Sequence, residues 1–230
     1  MIRVASVVPR AILDEKLIWT FVNPYSYRVL RQFNRLACSS MVVGFDGVSL
    51  SILHGVFTSK KVRRISFDDT SIAPVVFKEC VRVGARVAIV GSAPGVARRA
   101  SDYLAAKYRG LEVVEVYDGY FSGSSREAVI LALVDCDVVV CGMGAPLQEG
   151  LLLDLRAAGW DGVGFTCGGY LDQLVDSGGG EYYPILIDKL QLRWAYRIWR
   201  EPRRLLGRYA FHYPVGILYF IRDSLSKRLG

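Results

Sequence analysis

Apolar residues fall along this chain in two rhythms. Short, mostly apolar runs rich in β-branched residues recur at 17–22, 40–44, 64–67, 86–90, 111–116, 138–140 and 163–165. Most are bounded by Gly, Pro, Asn or Asp, as expected of strands buried on both faces. Between them lie longer segments with apolar positions three or four apart: 24–36, 48–57, 71–83, 94–108, 124–134 and 147–155. In 71–83 the helical set is Ile72, Val75, Val76, Cys80 and Val83. Pro24 and Pro146 stand where helices begin, because proline's missing N–H costs nothing there. Ser124 with Glu127 three residues on reads as a capping box. Strands alternating with helices predict an α/β fold, Rossmann-like and doubly wound, with a mostly parallel sheet.

The rhythm changes after residue 182. From Pro184 to Tyr209, Trp194, Tyr196, Trp199 and Tyr209 interleave with six arginines, and Glu201-Pro202 breaks the segment into two helices. We divide the chain into a core, 1–182, and a basic, aromatic-rich helical appendage, 183–230. The run 209–221 is mostly apolar but too short to span a bilayer. It is expected to lie in an anionic membrane interface, so that deleting 210–230 releases the protein from anionic vesicles but spares its solubility. The alternative is that Val215–Ile221 packs on the body or on a second subunit.

Charge sharpens the division. The whole net charge of +7 lies in 188–230, with 10 basic against 3 acidic residues. A basic tail on a neutral body points to a polyanion: nucleic acid, anionic lipid or a diphosphate. Five cysteines with no CxxC pair argue against a disulfide framework or zinc site, and two histidines exclude a histidine-rich metal site. The first residues lack the apolar stretch of a signal peptide.

Two glycine loops follow strands. GSAPGVA (91–97) lacks a P-loop lysine, and in GMGAPLQEG (142–150) Leu147 fills the third glycine place of GxGxxG. Both count against a P-loop NTPase and a nicotinamide dehydrogenase. Tight turns explain most of these glycines, although a helix N-terminus at either loop can hold an anion. Asp135-x-Asp137 has the spacing of metal-dependent sugar transferases, but it precedes a strand, the wrong end of a parallel sheet for a site. Asp46 follows a strand; it is either a turn or cap aspartate or a general base. Arg197, Arg200, Arg204 and Arg208 would share one helical side, and guanidinium forks suit diphosphate oxygens.

Six segments together resemble one family: TFVNP (20–24), Asp46-Gly47, GSAPGVA (91–97), DGYF (118–121), GAPLQE (144–149) and WAYRIWREPRRLLGRY (194–209). The family is that of bacterial glycosyltransferases including the teichoic-acid N-acetylmannosamine and enterobacterial-common-antigen N-acetylmannosaminuronic acid transferases, with xanthan-type exopolysaccharide enzymes. The resemblance implies transfer from a UDP-sugar donor to a polyprenyl-diphosphate-linked saccharide, with inversion and without a metal or cofactor. It implies a cytoplasmic enzyme, peripheral on the inner face of the plasma membrane. Asp46 would be the base and Gln148 would contact the reacting sugars or donor. Thr20 and Asn23 would line the pocket. Gly91, Pro94, Asp118, Tyr120, Gly144 and Glu149 would contribute to substrate binding, and Arg197, Arg203, Arg204 and Arg208 would grip diphosphate. The chain departs from the family pattern at Phe45 (commonly Pro), Phe67 (commonly Gly) and Arg193 (commonly Glu). Rival readings are a non-catalytic sugar-nucleotide-binding or scaffold protein on this fold, and a nucleic-acid module. No nucleic-acid recognition motif supports the latter, so nucleic acid is not expected as a partner. Homo-oligomerisation is left open.

Overall fold

The computed structural model describes residues 2–5, 9, 12–32, 41–121, 123–180, 182–184, 187, 190 and 192–226. The expected extension of the first helix to Leu36, Ser40 at the start of the second strand, Cys38, and the basic Lys227 and Arg228 lie outside the described residues. So do the side chains of Gln32, Ser124 and Arg204.

The elements are β1 (Ile18–Val22), α1 (Pro24–Gln32), β2 (Met41–Phe45), α2 (Val48–Thr58), α3 (Ala73–Val83), β3 (Arg86–Gly91), α4 (Val96–Lys107), β4 (Glu112–Tyr117), α5 (Ser124–Leu133), β5 (Val138–Gly142), α6 (Leu147–Ala157), β6 (Val163–Thr166), α7 (Tyr170–Asp176), α8 (Arg193–Arg200), α9 (Pro202–Gly207), a π-helical turn (Arg208–His212) and α10 (Tyr213–Leu225). Six strands pair in the order β2-β1-β6-β5-β3-β4, every pairing parallel. Strand side chains alternate between two buried faces, which is why the runs read as continuously apolar. Trp19, Val42, Ile89, Val140 and Phe165 meet Val76 and Phe77 of α3, Leu104 of α4 and Leu171 of α7. On the opposite face Ala88, Val90, Val139 and Cys141 meet Leu133 of α5 and Leu151, Leu152 and Leu155 of α6. The fold is a Rossmann-like, doubly wound α/β sheet.

Three expectations need correction. Residues 64–67 are not a strand: Ile65 N–H donates to the Phe45 carbonyl at 2.9 Å, but Ser66 turns its N–H to Ser71 Oγ (3.2 Å) and its carbonyl to Ile72 N–H (3.2 Å), so the ladder does not continue. The cap position of α5 falls on Gly123, one residue before the expected Ser124. Gly123 occupies the cap at φ 55°, a conformation glycine adopts most readily, and its carbonyl accepts from Arg126 N–H at 2.9 Å. Third, the apolar tail is part of the core. Phe220 is fully buried, edge-on to Tyr27 and Phe45 at 5.1 and 5.5 Å. Asp223, also buried, accepts from Tyr27 Oη at 2.9 Å and is gripped by Arg31 through Nε (2.6 Å) and Nη2 (3.0 Å). At Gly216 a Cβ would overlap the Pro24 carbonyl, so glycine permits the close α1–α10 crossing. The packing alternative therefore describes the inner face of α10. Its outer face leaves Leu218 and Leu225 exposed.

Candidate active site

The chain leaves β3 toward β4 on one side and leaves β5 toward β6 on the other, so the crevice between the carboxyl ends of β3 and β5 is a topological switch point. Its floor is bare main chain. Gly91 has φ 141°, and a Cβ there would come within 2.5 Å of the Gly142 backbone. Ser92 N–H donates to the Gly142 carbonyl at 3.1 Å, and Gly119 N–H donates to the Ser92 carbonyl at 2.9 Å. Gly144 turns the next loop at φ 77°. Asp118 Oδ1 accepts from Tyr120 N–H at 2.9 Å, an Asx turn that leaves the Tyr120 ring exposed; Pro94 is exposed on the rim. These predicted residues thus come together around one crevice.

Beside it, the first turn of α6 is tied to the sheet through a buried chain of hydrogen bonds. Phe21 N–H donates to Thr166 Oγ1 (3.2 Å), Thr166 Oγ1 to Thr20 Oγ1 (3.3 Å), and Thr20 Oγ1 to Glu149 Oε1 (2.8 Å). Gln148 Nε2 also donates to Glu149 Oε1 (3.0 Å), while its Oε1 accepts from Gly168 N–H (3.2 Å). Thr20 and Glu149 are fully buried and Gln148 nearly so, at 4% exposed, so all three lie beneath the cleft, with Gln148 the most accessible of them. Hydrogen bonds on both ends of the Gln148 amide, to Glu149 and from Gly168 N–H, fix its orientation in these buried surroundings.

Asp46 follows β2, with its carboxylate about one-third exposed. Arg64 holds it twice, donating from Nε to the Asp46 carbonyl (2.9 Å) and from Nη2 to Oδ1 (3.2 Å). The same Nη2 reaches Ser66 Oγ (2.8 Å) and Asp68 Oδ2 (3.3 Å). Asp68 in turn receives Arg193 Nη1 of α8 at 2.7 Å. Burial alone would push Asp68 up, but the Arg193 charge, the Ser66 hydroxyl, Arg64 and Thr70 hold it below the usual carboxylate range. The departure from the family pattern at Arg193 therefore forms one end of this ion pair, and the one at Phe67 adjoins the other end. Asn23 caps α1, its Oδ1 accepting from Ser26 N–H at 3.1 Å.

The appendage supplies the positive charge over this group. Arg197 is largely buried, and its Nε has no hydrogen-bond partner among the described residues. Burial opposes its charge, yet nearby Tyr183, Asp46, Tyr209 and Glu201 raise its pKa above the ordinary value. A methyl placed on Gly169 would lie 3.8 Å from Arg197 Nη2. Arg197 thus connects the Asp46 side to the Gly168–Gly169 turn that holds Gln148. Arg208 stacks its guanidinium 4.2 Å from the Tyr25 ring centre, Arg203 is exposed, and the Arg204 side chain lies outside the described residues. Asp137 sits at the other end of the sheet, accepting from Arg86 N–H at 2.8 Å before β5 begins. His54 is buried against Phe45, and burial lowers its pKa.

Sequence reasoning missed Arg64, Asp68 and Thr166. The available signal was weak: two carboxylates and an arginine within five residues of an extended segment, and a threonine ending an apolar strand.

The chain matches the family model "Glycosyl transferase WecG/TagA/CpsF family" over residues 3–230. It is also similar to a Shigella boydii protein described as UDP-Gal:alpha-D-GlcNAc-diphosphoundecaprenol beta-1,4-galactosyltransferase. The two are 32% identical over 212 residues, covering 90% of this chain and 87% of the relative. With the fold and the grouped motif residues already in place, this near-complete match shows that the chain belongs to the WecG/TagA/CpsF family of glycosyl transferases.

Proposed function

We propose that this enzyme transfers a hexose from a UDP-sugar to a saccharide linked to polyprenyl diphosphate, with inversion, in cell-surface polysaccharide assembly. The observation that carries the proposal is the grouping of a partly exposed carboxylate, Asp46, with the buried guanidinium of Arg197 at the carboxyl end of the sheet. In this reading Asp46 takes the proton of the acceptor hydroxyl as its oxygen attacks the anomeric carbon. The UDP leaves from the opposite face, and no covalent sugar–enzyme intermediate forms. Arg197 and the positive dipole ends at the starts of α4 and α6 offset the charge growing on the diphosphate. Gln148, held rigid by Glu149 and Gly168, orients the sugars between them. The relative's name supplies the first substrates to try.

The test is a screen of UDP-sugars, beginning with UDP-Gal, against GlcNAc-diphosphoundecaprenol and analogues, with products read by mass spectrometry and anomeric configuration by NMR. A retained configuration, or UDP release without a product, sinks the reading. Because arginine supplies the counter-charge, we expect full turnover in EDTA. Activity lost in EDTA and restored by magnesium or manganese would contradict this.

Among the described residues no helix is long and apolar enough to cross a membrane. The proposed seat is peripheral, on the inner face of the plasma membrane. The exposed Trp199, Leu206, Phe211, Leu218 and Leu225 would enter the headgroup region, flanked by Arg200, Arg203 and Arg222. Burying two leucines contributes about 3 kcal/mol. Leu218→Asp with Leu225→Asp should therefore weaken binding to anionic vesicles by roughly 10²-fold and leave the melting temperature unchanged. Unaltered flotation of the double variant would remove α10 from the contact.

A further inference from the structure

Asp68 is a point where two guanidiniums from different parts of the molecule converge. Arg64, which holds Asp46, approaches Asp68 Oδ2 at 3.3 Å; Arg193, from α8, approaches the same oxygen at 2.7 Å. Ser66 Oγ adds a third bond to that oxygen at 2.6 Å, while Asp68 Oδ1 accepts from Thr70 N–H (3.0 Å) and Thr70 Oγ1 (2.7 Å). Arg193 also donates to Thr70 Oγ1 and lies 4.8 Å from the Tyr183 ring centre. The side chains of Asp68, Arg193 and Arg64 are 14, 11 and 19% exposed, so water screens these charges weakly. The space enclosed by Asp68–Thr70, Tyr170, Gln173, Tyr182 and Tyr183 is about 20 Å³, enough for one water. The appendage is thus seated directly on this group.

We propose that Asp68 is a positioning residue that couples the seating of α8 to the setting of the catalytic carboxylate, by sharing its charge between Arg193 and Arg64. The inference rests on the assignment of Asp46 as base. A buried carboxylate must be compensated. With α8 seated, Arg193 supplies that compensation at short range, and Arg64 is left to divide itself between Asp68 and Asp46. With Arg193 gone, Asp68 has only Arg64 as a cationic partner among the contacts described above, and it draws that guanidinium away from Asp46. With Asp68 neutral, Arg64 belongs to Asp46 alone, and Arg193 loses its anchor. The same seating puts Arg197, one turn further along α8, over the Gly168–Gly169 turn. Closure of the appendage and readiness of the base are then one event.

The two ends of the pair make opposite predictions, which a merely structural contact would not. Arg193→Gln should move the acid limb of the kcat/KM profile to higher pH, because Asp46 loses its guanidinium. Asp68→Asn should move it to lower pH. In both variants kcat at neutral pH falls about tenfold, since α8 is displaced. Tryptic cleavage after Arg197 and Arg200 should also speed up in both, and Arg193→Lys should restore wild-type cleavage and the wild-type acid limb. Circular dichroism confirms that each variant is folded. Acid limbs that stay put, or that move in the same direction, overturn the coupling, as does unchanged tryptic cleavage. If Asp46→Asn is fully active, the base assignment fails and the coupling falls with it. If Asp46→Asn is inactive while the acid limbs stay put, the coupling alone fails.

Discussion

Asp46→Asn should leave the protein folded and reduce sugar transfer by about 10²–10⁴-fold, the usual contribution of a single general base. The side chain packs in no apolar cluster, and its partner among the described contacts is Arg64. Asparagine has the same shape, and Arg64 Nε can still donate to the backbone carbonyl of residue 46. What disappears is the ability to accept the acceptor's proton. Initial rates with saturating donor, beside a melting curve, decide the matter. Turnover within a few-fold of wild type would mean that Asp46 is a turn residue and that the proton goes elsewhere.

Phe220→Ala should cost about 3–5 kcal/mol, the range for removing a fully buried aromatic ring. For a chain of this size that lowers the melting temperature by roughly 10 °C. Phe220 is 0% exposed and is the α10 ring that meets both Tyr27 of α1 and Phe45 at the end of β2. The cavity cannot close easily, because the Arg31–Asp223 pair and the Gly216–Pro24 crossing hold α10 in place on either side of the gap. Truncation before residue 210 should be worse, since it also leaves Arg31 and the buried Tyr27 hydroxyl without Asp223. A Phe220→Ala variant that melts with the wild type would detach α10 from the core. The expectation that deleting 210–230 spares solubility thus conflicts with the packing of α10, and membrane contact has to be tested on the outer face alone.

All strands but the edge strand β4 were legible because they are buried on both faces, and that leaves a local trace: an apolar run stopped by a turn residue. The crevice loops were legible for a similar reason, since Gly91 and Gly144 are required where they stand. Pairing across the fold leaves no such trace. Thr20 and Glu149 are 129 residues apart and Asp68 and Arg193 are 125 apart, yet each pair shares a hydrogen bond. Nothing in the periodicity around Thr20 distinguishes a pocket residue from a buried tether. Gly216 carries no local signal either, because the backbone it accommodates belongs to Pro24. Arg64 was obscured by its own neighbourhood, whose apolar residues suggested a strand while its polar ones served Asp46.

The bare floor where β3 meets β5 has an evolutionary consequence. Any ligand resting there touches peptide groups rather than side chains, and Gly91 and Gly142 leave no room for replacements. Peptide groups are the same in every protein, so drift cannot easily retune that grip. If the proposed donor rests there, a lineage that needs a different sugar must change the rim, at residues such as Pro94, Tyr120 or the neighbours of Asp46, while the shared part of each donor is received unaltered. Diversification of products and constancy of the donor's common moiety would then reside in separate parts of the chain.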